Sequence, residues 1–399
     1  MSALKYWVWL AEVPGLTHAN RWQLLAHFHS PEEIYCADRQ QLLLCPGITE
    51  AQADLLDKRD LDQAEEILSR CAQKDIFIVT AQDAAYPHRL REIYDAPLLL
   101  YGKGSMPLFD EEAAIAVVGT RHNTPYGLQC AGKLGYQLAR QGAVVVSGLA
   151  HGIDAAAHEG ALRAGGFVAG VLGCGVDVVY PASSRRLYED VAAAGVLLSE
   201  YPPGTRPLGW HFPARNRIIS GLSIAAVVVE APRGSGALIT ADLALQQGRD
   251  VFAVPGPIDA PESWGCNRLI RDGAGLAAEA WDILEPYCGR FPHRLHRNSS
   301  PVPHRPFAQP QEEEPAAAVE EEVLPQVQRA DLSPDQQCLL QALEREGGKL
   351  ADELAEETEL AIRQVLSALT LLEIDGYVRQ EGPGRFVRTV EIIDGKKEG

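Results

Sequence analysis

The sequence lacks an excess of positive charge. Its 399 residues include 36 Lys and Arg against 54 Asp and Glu, which gives a formal net charge of -18 at pH 7. This balance excludes a general electrostatic attraction for nucleic acid or for an anionic membrane surface. If the protein binds an anion, a local cluster of basic side chains must hold it.

The sequence also lacks the patterns of a membrane-spanning segment and of a signal peptide. No apolar run reaches membrane-spanning length, and the first residues show no basic region followed by an apolar stretch and a cleavage site. The eight cysteines are scattered, without a close pair of metal-ligand spacing. We expect a cytoplasmic protein with no membrane partner and with reduced thiols.

Common cofactor motifs are missing as well. No Walker A pattern occurs, and the turn around Gly119 lacks the three spaced glycines and distant acid of the dinucleotide fingerprint. The spacing of His151, Asp154 and His158 resembles that of a metal site, but these residues begin in a predicted loop and have no fourth ligand nearby. The sequence therefore predicts no ATP-driven step, no cofactor and no metal.

The first segment, residues 1–72, has helical periodicity and two similar Pro-Gly turns, at 13–17 and 45–49. This pattern predicts a small SAM/helix-hairpin-helix-like domain. Turns of this kind either hold a phosphate on backbone N–H groups or connect packed helices, and the sequence leaves both interpretations open. Residues 288–330, rich in Pro, Glu and Ala, predict a flexible linker.

The last segment, residues 331–390, shows three helical patterns followed by a hairpin pattern, which predicts a winged helix. It carries twelve acids and six bases, and its predicted recognition helix at 361–374 has Arg363 as its single base. Duplex binding needs basic side chains on the phosphates. We therefore expect this domain to bind a partner or to regulate the protein.

The middle segment, residues 73–287, alternates short β-rich runs with amphipathic helical patterns. This alternation predicts an α/β fold with an extended Rossmann-like, doubly wound parallel sheet. The predicted strands are 76–80, 98–101, 115–118, 144–147, 167–172, 196–199, 224–229 and 251–254, and the predicted crossover helices are 126–140, 155–164, 185–194 and 237–247.

Four loops rich in glycine or arginine follow predicted strands or precede them: 119–121, 147–154, 212–217 and 233–240. Ligands of doubly wound sheets bind beyond the carboxyl ends of the strands, where such loops meet. Glycine turns that enter helices let backbone N–H groups approach a phosphate. Asp154 in the second loop is equally suited to cap its helix. Together the loops predict an extended phosphate ligand.

The segment 210–221 places two aromatic rings, two arginines and an asparagine before an apolar run. Guanidinium groups match phosphate oxygens, and an aromatic ring beside them stacks on a base. This combination favours single-stranded nucleic acid over a free nucleotide. The alternative interpretation is a helix start with a local ion pair.

An enzymatic alternative starts from the loop at 233–240. It is similar to the phosphate loop of nucleoside-monophosphate glycosidases, but Thr240 stands where that family has its catalytic glutamate. The acid that would assist attack of water on an N-glycosidic bond is therefore missing. A nucleotide N-glycosidase-like hydrolase and a nucleotide-binding sensor remain the alternatives to a DNA-binding protein.

Taken together, the motifs of the middle segment resemble the DNA-processing protein A family, also called DprA or Smf. The matching stretches are 118–121, 147–154, 173–177, 180–181, 199–202, 212–221, 234–240 and 254–256. They occur in order over about residues 75–285, and the flanking helical and winged-helix segments look like those of longer family members.

The resemblance implies a homodimer that binds single-stranded DNA, loads the RecA recombinase during natural transformation and catalyses no reaction. By the family pattern, DNA contacts come from side chains of the 121 turn and of the 212–217 stretch, and from main-chain donors of the glycine loops. The residues concerned are Arg121, Phe212, Arg215, Asn216 and Arg217, with main-chain donors from Gly148, Gly152, Ser235 and Gly236.

Overall fold

The computed structural model describes residues 2–297, 326–328, 332–343, 349–358, 360–375, 377–380 and 385–393. Contacts divide the chain into two compact units, Met1–Gln309 and Pro310–Gly399. The segments predicted as 1–72 and 73–287 thus fold into one unit, and their buried residues form one continuous hydrophobic cluster. In the part of the chain that is described, no helix is both long and apolar enough to cross a membrane.

Six short helices begin the first unit. They are α1 (Ser2–Glu12), α2 (His18–Phe28), α3 (Pro31–Cys36), α4 (Arg39–Leu44), α5 (Glu50–Leu56) and α6 (Asp62–Gln73). Thr17 and Thr49 cap α2 and α5, each after a turn whose glycine has a positive φ. The two turns contact each other, because Asn20 donates to the carbonyl of Gly47 and Gln52 donates to that of Gly15.

A nine-stranded sheet forms the centre of the unit. Its strands are β1 (Phe77–Thr80), β2 (Leu99–Gly104), β3 (Ala114–Val118), β4 (Val144–Ser147), β5 (Val168–Val171), β6 (Val196–Ser199), β7 (Ala225–Val228), β8 (Asp250–Ala253) and β9 (Gly275–Leu276). Their order is β1-β2-β6-β5-β4-β3-β7-β8-β9.

The sheet is parallel from β6 to β9, which confirms the predicted doubly wound core, but β2 is antiparallel to both β1 and β6. The expectation of a parallel arrangement is therefore wrong for the first two strands. Between them lies only the four-residue helix α7 (His88–Arg91), which is too short to form a crossover across the sheet.

Helices cover both faces of the sheet. They are α8 (Pro125–Arg140), α9 (Ile153–Arg163), α10 (Arg185–Ala194), α11 (His211–Leu222), α12 (Gly236–Gln246), α13 (Trp264–Arg271) and α14 (Ala280–Leu284).

The stretch 212–217, predicted as a loop, lies in the first turns of α11, so that prediction is wrong. Ile218, Ile219 and Leu222 are fully buried and recur at helical spacing. Pro213 falls in the first turn, where a missing N–H costs no helical hydrogen bond. The alternative interpretation, a helix start with a local ion pair, describes the backbone correctly.

The predicted linker 288–330 is partly folded. Phe291 and Leu295 are buried in the cluster of the first unit, and Arg294 forms an ion pair of 2.9 Å with the buried Glu112. Residues 298–325, which include the acidic runs 312–314 and 320–322, lie outside the described residues.

The second unit confirms the predicted winged helix. Its elements are β10 (Gln326–Gln328), α15 (Pro334–Ala342), β11 (Lys349–Leu350), α16 (Ala351–Thr358), α17 (Ile362–Ile374), β12 (Val378–Gln380), β13 (Arg385–Arg388) and β14 (Glu391–Ile393). The three helices pack around Leu339, Leu354 and Val365, and β13 pairs with both β11 and β12. The predicted hairpin turn at 381–384 lies outside the described residues.

Candidate nucleic-acid interface

An open cleft of about 640 Å³ lies beyond the carboxyl ends of β3 and β7. The chain passes from β3 to β4 on one side of the sheet and reaches β7 and β8 on the other, so the strand order reverses at this point. Such a switch point leaves a crevice between the loops of the two halves. Six residues predicted as DNA contacts line the cleft: Arg121, Phe212, Arg215, Asn216, Ser235 and Gly236.

Three predicted site residues do not line the cleft. Gly148 lies beneath it, and its N–H donates to the carboxylate of Asp154 at 3.2 Å. Gly152, with φ of 93°, precedes α9 and borders a neighbouring groove. The structure does not bring Arg217 to the cleft, because its guanidinium contacts Glu200 and His18.

An arginine and two aromatic rings form one side of the cleft. The guanidinium carbon of Arg121 lies 4.9 Å from the ring centroid of Phe212, within the range of a cation–π contact. The ring of Tyr180 lies 5.5 Å from that of Phe212 and is 44% exposed. Sequence reasoning gave no site role to Tyr180, although it lies in a stretch that carries the family resemblance. The arrangement offers flat surfaces to a base and a charge to its phosphate.

Arg215 places a second positive charge in the floor of the cleft. Its side chain is almost completely buried, and Nη1 donates to the carbonyl of Val171 at 2.9 Å. Burial lowers the pKa of Arg215 to about 10, so the group stays protonated at neutral pH. Among the described residues, its Nε has no hydrogen-bond partner. The cleft floor therefore carries a buried positive charge.

Asp154 shares this floor but does not cap α9, because the N-cap position is occupied by Gly152. Its carboxylate accepts from the main chain at Gly148 and Ala150. Burial raises its pKa, and the charge of Arg215 opposes that rise. Asp154 thus orders the glycine loop under Arg215.

The start of α12 closes the other side of the cleft. Ser235 caps the helix by accepting from the N–H of Ala237 at 3.3 Å, and its own N–H donates to Pro232. Gly236 is the first helical residue, where backbone N–H groups have no partner within the helix and the dipole favours an anion. Arg233 lines the cleft beside them.

Glu230 holds the loop that carries Arg121. Its buried carboxylate accepts from the N–H of Thr124 at 3.0 Å and from the Thr124 hydroxyl, while its carbonyl accepts from the N–H of Thr120 at 2.8 Å. Sequence reasoning missed this role, because the two segments are more than 100 residues apart in the chain. The turn before α8 is therefore fixed to the end of β7.

His151, Asp154 and His158, whose spacing resembles that of a metal site, have other surroundings in the structure. His158 is fully buried and lies 3.3 Å from the carbonyl of Ala169, and burial lowers its pKa to about 4. Over the ranges that the structure describes, no three His, Cys, Asp or Glu side chains gather as metal ligands.

Comparisons with known proteins match both units. The model of the DNA recombination-mediator protein A family matches residues 77–287, and the model of the DprA winged helix domain matches residues 308–384. The protein Smf of a Synechocystis species is 35% identical over 414 residues, which cover 97% of this chain and 99% of that protein.

Solved structures match as well. DNA processing protein A of Streptococcus pneumoniae is 36% identical with a TM-score of 0.63, over 70% of this chain and 97% of that chain. DNA processing protein A of Helicobacter pylori, whose structure is described as showing its single-stranded DNA binding mode, is 30% identical with a TM-score of 0.49, over 55% of this chain and 97% of that one.

Proposed function

The chain belongs to the DNA recombination-mediator protein A family, and we propose that it binds single-stranded DNA in the cleft without sequence preference. One observation carries the proposal: the Arg121 guanidinium lies over the Phe212 ring, beside the buried charge of Arg215. Stacking platforms next to basic groups are how sequence-tolerant single-strand sites work, because every base has a flat face.

Different residues of the cleft would bind the bases and the phosphates of the strand. A base stacks against Phe212 and Tyr180, and an adjacent phosphate pairs with Arg121. Arg215 supplies charge from the floor, and Gly236 at the start of α12 offers its N–H to a second phosphate. A duplex would keep its bases stacked on each other and away from these rings, which favours a single strand. The net charge of -18 fits a site of this local kind.

We propose no catalysis at this site. The nearest enzymatic parallel, a nucleotide N-glycosidase, needs an acid where this chain has Thr240. Thr240 is buried, and its hydroxyl lies 3.5 Å from the carbonyl of Gly236. A hydroxyl in that position does not activate water as a carboxylate does.

We extend the proposal to the biology of the family. The protein acts in the cytoplasm as a homodimer, binds the single strand that enters during natural transformation and loads RecA recombinase onto it. The family's description as a recombination mediator supports this extension. Mixing the protein with RecA and a single strand covered by a single-strand binding protein tests it, and faster RecA filament formation is the expected result.

A salt titration of oligonucleotide affinity tests the binding site. The logarithm of the affinity should fall linearly with the logarithm of salt concentration, by about 0.7 for each phosphate neutralised. Arg121→Ala should flatten this slope by about that amount. Phe212→Ala should weaken binding by about 1–3 kcal/mol with the slope unchanged.

Arg290→Ala is the matched control, because Arg290 also lies over a phenylalanine ring, at 5.2 Å from that of Phe291, but does not line the cleft. It should bind as the wild type does. If the two cleft variants fold and also bind as the wild type does, the site assignment is wrong. Full competition by a mononucleotide at concentrations near those of the oligonucleotide would favour the nucleotide sensor instead.

A further inference from the structure

An indole ring beside the cleft contacts two arginines. The guanidinium carbon of Arg233 lies 4.6 Å from the ring centroid of Trp264, and that of Arg268 lies 5.4 Å from it. Arg233 lines the cleft, whereas Trp264 and Arg268 belong to α13 and lie outside it. The ring is half-buried, and both arginines are exposed.

The backbone fixes this ring relative to the cleft. The N–H of Ala231 donates to the carbonyl of Glu262, and the N–H of Gly265 donates back to the carbonyl of Ala231, both at 2.8 Å. A Cβ at Gly265 would lie 2.5 Å from that same carbonyl oxygen, so glycine permits the close approach. The start of α13 is therefore held against the phosphate-binding loop of the cleft.

The ion pairs around the ring involve Arg268 but not Arg233. Asp272 pairs with both Arg268 and Arg271, so one carboxylate serves two guanidinium groups. Among the described residues, no carboxylate lies within ion-pair distance of Arg233, and the acids of the preceding loop, Asp259 and Glu262, pair with none of these arginines.

We propose that a longer DNA strand leaves the cleft past Arg233 and stacks a base on Trp264, with the flanking phosphates at Arg233 and Arg268. This second stacking site rests on the proposed function, since the same strand occupies both. An aromatic face between two phosphate-binding side chains repeats the chemistry of the cleft itself, where Arg121 lies over Phe212. The second site would extend the contact between the strand and the protein beyond the cleft.

Strand length separates the two sites experimentally. Anisotropy titrations of the full-length protein with oligothymidylates of about 4 and about 16 nucleotides span the site sizes that single-strand grooves show. Trp264→Ala should weaken binding of the longer strand about tenfold and leave the shorter one unchanged. Arg268→Ala should give a smaller loss, again with the longer strand alone. Wild-type tryptophan fluorescence should be quenched by the longer strand, and Trp264→Phe should remove that part of the quenching.

A matched control comes from another arginine–indole contact, in which Arg297 lies 5.8 Å from the ring of Trp281. Neither residue lines the cleft, so Trp281→Phe and Arg297→Ala should bind both lengths normally. Unchanged melting temperatures for Arg268→Ala and Trp264→Phe guard against misfolding.

Two outcomes overturn this second site. Equal losses for both lengths would mean that Trp264 acts on the cleft through Arg233, and no loss for either length would mean that the strand does not reach it. The proposed function fails separately: if Phe212→Ala leaves the binding of both lengths unchanged, the cleft itself is not the DNA site.

Discussion

The two faces of α11 differ in what their arginines contact. On one face Arg215 enters the floor of the cleft, where Phe212 and Asn216 line the wall. On the other face Arg217 pairs with Glu200, and the Glu200 and Arg217 side chains are each 9% exposed. Residues two apart on a helix point about 200° away from each other, so neighbouring arginines serve different purposes. One face lines the cleft that we propose as the DNA site, and the other joins the helix to the rest of the unit.

The Arg217 face connects the N-terminal helices to the core. Its guanidinium Nη2 donates to the ring of His18 in α2 at 3.0 Å, and the same ring lies 3.7 Å from the carboxylate of Glu200. The contact therefore joins α2, the end of β6 and α11. We expect substitutions on this face to change stability and those on the cleft face to change affinity.

The largest effect should come from Glu200→Ala. It leaves the buried guanidinium of Arg217 without its carboxylate, which costs about 3–5 kcal/mol of the free energy of unfolding. Urea unfolding measures this loss, and the folded fraction should still bind oligonucleotides with wild-type affinity. The double variant Glu200→Leu with Arg217→Met removes both charges and should recover most of the stability.

The surface pair Arg186–Asp190 supplies the control, because the Arg186 side chain is 94% exposed. Asp190→Ala should cost less than about 1 kcal/mol. If Glu200→Ala keeps its stability but loses DNA affinity, the two faces of α11 do not divide binding from stability as stated.

The sequence predicts the cleft better than it predicts α11. Apolar runs and crossover patterns give the parallel strands, and their order brings Arg121, Phe212 and Ser235 to one edge. The helical conformation of 212–217 is also predictable from the sequence, because Ile218, Ile219 and Leu222 recur at helical spacing. The charged and aromatic residues of the same stretch favour a binding loop instead, which is not the conformation that the backbone adopts.

The contacts of Arg217 could not be predicted from local sequence patterns. Glu200 lies seventeen residues before Arg217, and His18 lies 199 residues before it. Such contacts arise from tertiary packing, which a sequence window does not contain. The same limit applies to Gly148, which we predicted to donate its N–H to a phosphate. In the structure the side chain of Arg215 packs over it, and its N–H donates to Asp154.

Gly148→Ala should give the next largest effect and tests the cleft face. A Cβ at this position would lie 1.5 Å from Nη1 of Arg215, a flexible side chain that must move to make room. Overpacking of this kind costs about 1–3 kcal/mol of stability. The displaced guanidinium should also lower oligonucleotide affinity, which an anisotropy titration measures.

Gly289→Ala serves as its control, since a Cβ at that position meets no atom within 4 Å. Its stability and affinity should match those of the wild type. Normal DNA binding by a destabilised Gly148→Ala protein would show that Arg215 supports the cleft without contributing to affinity.

The smallest effect concerns His18 and acid pH. Burial, followed by the charges of Arg217 and Arg21, lowers the pKa of His18 to about 3, although the nearby carboxylate of Glu200 favours the proton. The unfolded chain takes up this proton near pH 6.5, so the free energy of unfolding should fall as the pH drops below 6.5. Between pH 7 and 5.5 the loss from this residue is about 1 kcal/mol. His18→Gln should remove that part of the loss in urea titrations at the two pH values, whereas the contribution of the buried His158, whose pKa is also lowered, is common to both proteins and cancels. An equal loss in both proteins would mean that burial and the charge of Arg217 do not keep the ring neutral, and the stabilising face of α11 would then depend on the ion pair of Arg217 with Glu200.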